Sequence, residues 1–100
     1  MVGICSFGGE LVIDKKMVLR QMGAKIAYFR TLTGMTQSEL AKKVKVTQSA
    51  ISKVESGSYH NNLNISLMLD IAEAMDIDPA LLMNFSAYEK AMWSNRIEEF

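Results

Sequence analysis

The sequence predicts an all-α fold, an orthogonal bundle of five to six helices with a short N-terminal β-hairpin. From residue 14 onward, apolar residues recur three and four positions apart, the spacing that buries one face of a helix. Most of these apolar runs follow a serine, threonine, aspartate or asparagine, whose side chains cap helix N-termini. A chain of 100 residues is long enough for one compact domain with a modest core.

The first two predicted elements are the hairpin and a long helix. Two short apolar runs, 4–7 and 10–13, flank Gly8-Gly9, which suits a two-residue turn. The helix is expected to begin after Asp14 and to end at Gly34. Gly23 interrupts its apolar pattern, which indicates either a bend or a close packing contact.

Two short helices are predicted next. Thr36 and Glu39 have the spacing of a capping box, whereas Thr47 caps the second helix and Gly57 ends it. The side chains expected to face inward are Leu40, Ala41, Val44, Ile51 and Val54.

The remaining sequence predicts two helices and a short helical turn between them. Asn64 caps the first helix, Asp78-Pro79 opens the turn, and Ser86 with Glu89 forms a second capping box. The last helix carries a broad apolar stripe made of Phe85, Tyr88, Met92, Trp93, Ile97 and Phe100.

Charge is distributed unevenly along the chain. Residues 15–53 hold nine basic residues and one acidic residue, a net charge of +8, and the rest of the chain has −8. Such asymmetry suggests that one face of the molecule meets a polyanion. Charge alone would equally fit basic helix faces that are simply solvated.

Two short helices joined by about four residues form the unit that places its second helix in a DNA major groove. Residues 35–41 (MTQSELA) and 46–57 (VTQSAISKVESG) resemble the phage-repressor/Cro-type (XRE-like) helix-turn-helix regulators, a resemblance that extends over residues 20–83. It implies a lambda-repressor-like fold. It also implies a transcriptional regulator that binds double-stranded DNA through a recognition helix at residues 47–56. Of the two kinds of regulator, activator and repressor, we favour a repressor.

The resemblance implies roles for single residues. Gln37 is expected to bond a phosphate and support Gln48, which with Ser49 reads bases. Arg30 and Glu55 match a buried ion pair, in which loss of one partner costs about 3–5 kcal/mol. The residues predicted to contact DNA are Gln37, Lys43, Lys45, Thr47, Gln48, Ser49, Ser52, Lys53 and Asn61.

Two departures from the family pattern stand out. Lys45 occupies the turn position where the family usually has glycine, and a left-handed backbone there costs lysine ~1 kcal/mol relative to glycine. The loop from Gly57 to Ile65 is about two residues longer than the common family pattern. Family members often bond phosphates from this loop, and the resemblance implies such a contact for Asn61.

The C-terminal helix leaves two interpretations open. A core of residues 15–83 already forms a DNA-binding unit, so the helix at 86–100 covers either that core or a second copy. We favour a homodimer seam made by Tyr88, Met92, Trp93, Ile97 and Phe100. A different function is that of an antitoxin or protein-interaction module, in which this helix or the 1–14 extension captures a partner protein.

Other classes fit less well. The lone His60 and Cys5 lack the partners of a catalytic or metal site, and no glycine-rich phosphate loop occurs, so we expect no enzyme, metal or cofactor. No apolar stretch approaches the ~20 residues of a membrane span. A cytoplasmic location is therefore expected.

Overall fold

The computed structural model describes residues 13–58 and 63–94 and is helical throughout its regular elements. Six helices follow one another: α1 (Lys15–Leu32), α2 (Gln37–Val44), α3 (Gln48–Ser56), α4 (Ile65–Ala74), α5 (Ala80–Met83) and α6 (Ala87–Ser94). No strand occurs in the described part. The predicted hairpin lies outside it, except for Ile13, which is exposed and belongs to no strand. The all-α prediction is confirmed.

The predicted capping residues set where the helices begin. The Asp14 carboxylate accepts from the Met17 amide at the start of α1, and Asn64 accepts from the Leu67 amide at the start of α4. Thr36 and Glu39 exchange the two hydrogen bonds of a capping box, at 3.0 and 2.8 Å. These bonds satisfy amides that have no partner within the helix, so the sequence fixes the helix starts locally.

The core lies where α1, α2, α3 and α4 meet, with α5 closing one end. Helix α1 packs against α3, α5 and α6, while α2 packs against α3 and α4. All five side chains predicted to face inward from the two short helices are buried. The buried apolar core consists of Met22, Ile26, Leu40, Ala41, Val44, Ile51, Val54, Met68, Ile71, Ala72, Met75 and Leu82.

Gly23 marks a close packing contact. Helix α1 continues through this residue, which is buried against the C-terminal end of α3. A β-carbon at residue 23 would lie 2.3 Å from the Val54 carbonyl oxygen and 2.6 Å from that of Glu55. Only glycine therefore lets the two backbones approach this closely.

Lys45 ends α2 in the left-handed region, with φ 61° and ψ 43°. Its amide and that of Val46 donate to carbonyls of the last turn, Lys42 and Ala41, at 3.3 and 3.0 Å. The chain then reverses within two residues to reach Thr47, the cap of α3. A lysine in this conformation is strained relative to glycine.

Helix α6 packs onto α1 of the same chain. The Trp93 indole N–H donates to Gln21 Oε1 (2.9 Å), and Gln21 Nε2 donates to the Glu89 carbonyl (3.0 Å). Glu89 also forms an ion pair with Lys25, and this hydrogen bond, with that from the Ser86 amide, lowers the pKa of Glu89. Part of the Trp93 surface is thereby used within the chain.

No helix in the described part of the chain is both long and apolar enough to cross a bilayer.

Replacing Gly23 with alanine is expected to destabilise the fold by about 1–3 kcal/mol, because α1 must move away from α3. The helix propensity gained, about 1 kcal/mol, opposes this loss. Urea unfolding measures the difference. Thr31→Ala, on the exposed surface of α1, is the control and should not destabilise. A Gly23→Ala variant as stable as the parent would contradict the close contact.

Replacing Lys45 with glycine is expected to stabilise the fold by about 1 kcal/mol, because glycine adopts the left-handed conformation without strain. Lys45→Ala removes the same charge but keeps the β-carbon, so it should bring no comparable gain in urea unfolding. Equal stabilisation by both variants would assign the effect to charge repulsion among neighbouring lysines instead.

Candidate nucleic-acid interface

The first turns and outer face of α3 form an exposed polar edge. Ile51 and Val54 anchor the helix in the core, while Gln48, Ser49 and Ser52 are exposed. The Thr47 hydroxyl accepts from the Ala50 amide at 3.0 Å, so this predicted contact residue also caps the helix. The edge offers amide and hydroxyl groups, which can donate to and accept from base edges.

The basic side chains predicted to contact DNA are all exposed. Lys53 extends from α3, Lys43 from α2 and Lys45 from the turn. Lys43 and Lys45 line a shallow depression together with Asp70 and Glu73 of α4. Those carboxylates partly offset the positive field of the two lysines, whereas no acid precedes Glu55 on α3.

A chain of hydrogen bonds links α1 to the tip of α3. Arg30 Nε and Nη2 donate to the two Glu55 carboxylate oxygens, at 2.5 and 3.0 Å. Gln37 Nε2 donates to Glu55 Oε1 at 2.9 Å. Gln48 Nε2 in turn donates to Gln37 Oε1 at 2.7 Å. The two glutamines therefore hold each other across the turn between α2 and α3.

The Arg30–Glu55 pair is largely shielded from solvent, with side-chain exposures of 16% and 8%. The hydrogen bond to Glu55 raises the pKa of Arg30, and burial opposes that effect. Arg30 Nη1 also donates to the Met35 carbonyl at 2.8 Å, which ties the α1–α2 connection to the same pair. One guanidinium thus fixes the positions of three elements, α1, the α1–α2 connection and α3.

These contacts leave an open surface beside the amino end of α2. A shallow groove there is lined by residues that include Arg30, Thr36, Gln37, Ser38 and Gln48. Helix amino ends and amide N–H groups favour anions, which gives this surface the chemistry of a phosphate contact next to the exposed polar edge of α3.

The predicted residues are not all in one place. Gln37 and Gln48 are joined directly, and Arg30 and Glu55 pair with each other. Tyr88 is exposed on α6, where Met92 and Trp93 are half-buried. Asn61, Ile97 and Phe100 lie outside the described residues.

The hydrogen bond from Gln37 to Glu55 was missed by sequence reasoning, which assigned Glu55 only to Arg30. The two residues are 18 positions apart on different helices, so no local pattern connects them. The one available signal is chemical, since a carboxylate has more acceptor sites than one guanidinium fills.

Within residues 13–58 and 63–94, no three histidine, cysteine, aspartate or glutamate side chains are grouped as metal ligands would be.

Known proteins share both the sequence and the fold of this chain. The helix-turn-helix family model matches residues 26–82. An uncharacterized HTH-type transcriptional regulator of Methanocaldococcus jannaschii is 35% identical over 48 residues, which are 48% of this chain and 73% of that protein.

Two solved structures extend the comparison. The restriction-modification controller protein C.AhdI from Aeromonas hydrophila has 31% identity and a TM-score of 0.59, over 64% of this chain and 94% of that one. SinR, a master regulator for biofilm formation solved in complex with DNA, has 27% identity and a TM-score of 0.56, over 63% of this chain and 98% of its own. By the extent of these matches and the geometry of α2 and α3, the chain belongs to the XRE-type helix-turn-helix family of DNA-binding transcriptional regulators.

Proposed function

We propose that this chain is a sequence-specific repressor that inserts α3 into the major groove of its operator. The observation that carries this proposal is the exposed polar edge of α3, whose first side chain, Gln48, is held in place by Gln37. A preformed donor and acceptor array costs less ordering on binding than a mobile one. The similar regulator SinR was solved in complex with DNA, which supports DNA binding by this chain.

In the proposed complex, bases are read by Gln48, Ser49, Ser52 and Lys53. Phosphates are held by Gln37, Thr47, Lys43 and Lys45, with Asn61 added by family resemblance. Phosphate contacts position the protein without carrying sequence information, whereas base contacts specify the site. A repressor needs no further chemistry, because a protein bound over a promoter blocks access of the polymerase.

We further propose that the protein binds as a homodimer to a pseudo-palindromic operator, with half-sites about 34 Å apart. An apolar surface supports this proposal: Tyr28 of α1 and Tyr88 of α6 are 60% and 77% exposed. Both tyrosines line one groove, and Leu81 of α5 lines the same groove. Exposed apolar surface of this kind often marks a protein interface.

The dimer surface and the DNA surface would use different faces of α1. Gly23 and Arg30 contact α3, whereas Gln21 and Lys25 contact α6. A partner seated on the groove beside α6 therefore leaves α3 accessible, so that two copies can present their recognition helices together.

Removing the Gln48 side chain is expected to weaken binding to the preferred site by about 1–3 kcal/mol and to relax selectivity at one base pair. Selection from random duplex DNA, with and without Gln48→Ala, identifies that position. Lys45→Ala is the matched contrast, since it should weaken binding to all sequences alike and make the salt dependence shallower. If Gln48→Ala lowered affinity for every sequence equally, it would not be a base contact.

Removing the Tyr88 side chain is expected to weaken self-association by roughly 30-fold, since truncating a central interface aromatic costs about 2 kcal/mol. Sedimentation equilibrium of Tyr88→Ala measures this change. Leu69→Ala, at an exposed apolar position of α4, is the matched control. A dimer that persists in Tyr88→Ala but dissociates in Leu69→Ala would move the seam to α4, and capture of a second protein by the Tyr88 surface would favour the antitoxin function.

A further inference from the structure

The hydrogen-bond chain from Arg30 to Gln48 has a direction that follows from the chemistry of its members. A carboxylate accepts hydrogen bonds and donates none, and a side-chain amide has a donor end and an acceptor end. Because Gln37 bonds to Glu55 Oε1, the amide must present Nε2 to that oxygen. Its other end, Oε1, then faces α3. The orientation of the Gln37 amide is therefore dictated by Glu55.

The same reasoning passes to the next residue. Gln48 meets the Gln37 carbonyl oxygen, an acceptor, so it must turn its own Nε2 towards it, as the 2.7 Å bond shows. One Gln48 N–H is thereby occupied. The groups left for DNA are one N–H and the carbonyl oxygen, a donor beside an acceptor.

Glu55 is held firmly enough to fix the orientation of the Gln37 and Gln48 amides. Both of its carboxylate oxygens accept from Arg30, and the side chain is only 8% exposed. Its backbone lies against α1, where a β-carbon at Gly23 would come within 2.6 Å of the Glu55 carbonyl oxygen. A reversed Gln37 amide would set its oxygen against the carboxylate and lose a charge-assisted hydrogen bond.

We propose that Glu55, through Gln37, fixes the Gln48 amide in the orientation that recognises adenine and disfavours guanine. In the major groove adenine offers an acceptor at N7 and a donor at N6, which complement the free N–H and carbonyl of Gln48. Guanine offers two acceptors, N7 and O6, and needs two donors. Glu55 is thus a positioning residue that sets base preference without touching DNA, an inference that rests on the proposed base contact of Gln48.

The test reverses the donor-to-acceptor direction of the hydrogen bond between Gln37 and Gln48. In Gln37→Lys, the introduced ammonium can donate to Glu55 and to Gln48 but can accept from neither. The Gln48 amide must then turn its oxygen to that ammonium, which leaves both N–H groups for DNA. Binding-site selection with the full chain is expected to change the preferred base at the Gln48 position from adenine to guanine, with a switch in relative affinity of roughly tenfold or more.

Two further variants separate orientation from support. Gln37→Ala removes the link between Glu55 and Gln48, which we call the relay. The Gln48 amide can then turn freely, so the preference for adenine over guanine should narrow without reversing. Glu55→Gln keeps the shape of the side chain but gives it a donor end. It should therefore reduce the preference for adenine over guanine, although residue 55 does not face DNA. A merely structural role of Glu55 would lower affinity for the adenine and guanine sites by the same factor.

The outcomes are distinct. Retention of the adenine preference in Gln37→Lys, or a wild-type preference for guanine at the position that Gln48→Ala relaxes, overturns the relay. Should Gln48→Ala relax no position at all, the proposed base contact fails, which is a separate result. A measurement without DNA tests the orientation directly, in variants whose backbone NMR spectra show that the native fold is kept. In the free protein, Glu55→Gln should shift the side-chain amide NMR signals of Gln48, two side chains away, and unchanged signals would also overturn the relay.

Discussion

The contact between α1 and the C-terminal end of α3 is the constraint on which the rest of the molecule depends. Gly23 allows the two backbones to approach, and the Arg30–Glu55 pair joins them on the same side. Helix α1 has 18 residues and packs against α5 and α6 as well as α3, so it positions these three helices relative to one another. The direction of α3 is therefore set by backbone packing and an ion pair that lie outside its exposed polar edge.

The ion pair contributes more to orientation than to net stability. Desolvating two charges offsets much of their attraction, so a shielded pair of this kind is weak support for a stable fold. Its main effect is to orient side chains. Arg30 fixes the Glu55 oxygens, and those oxygens orient the amides of Gln37 and Gln48. Lys45 shows the same balance. Glycine would adopt its left-handed backbone at lower energy, whereas lysine places a cation beside α3.

The fold also separates two surfaces. The C-terminal end of α3 and the apolar groove between α1, α5 and α6 lie on different faces of α1. Among the side chains predicted to form the seam, Trp93 makes contacts within its own chain, where it bonds to Gln21 and packs edge-to-face against Phe85. Tyr28 of α1 is exposed and lines this groove, whereas the sequence predicts a dimer seam from the C-terminal stripe alone.

The sequence by itself determined the features that depend on neighbours three or four positions away. These are the caps at Asp14, Thr36, Thr47 and Asn64 and the inward faces of α2 and α3. Family resemblance added the Arg30–Glu55 pair. Only the tertiary structure decided that Gly23 is a packing contact rather than a bend, that Gln37 bonds to Glu55, and that Trp93 bonds to Gln21 across 72 positions. Such contacts depend on how whole helices cross, and that geometry follows from the packing of the shared core, which no short stretch of sequence encodes.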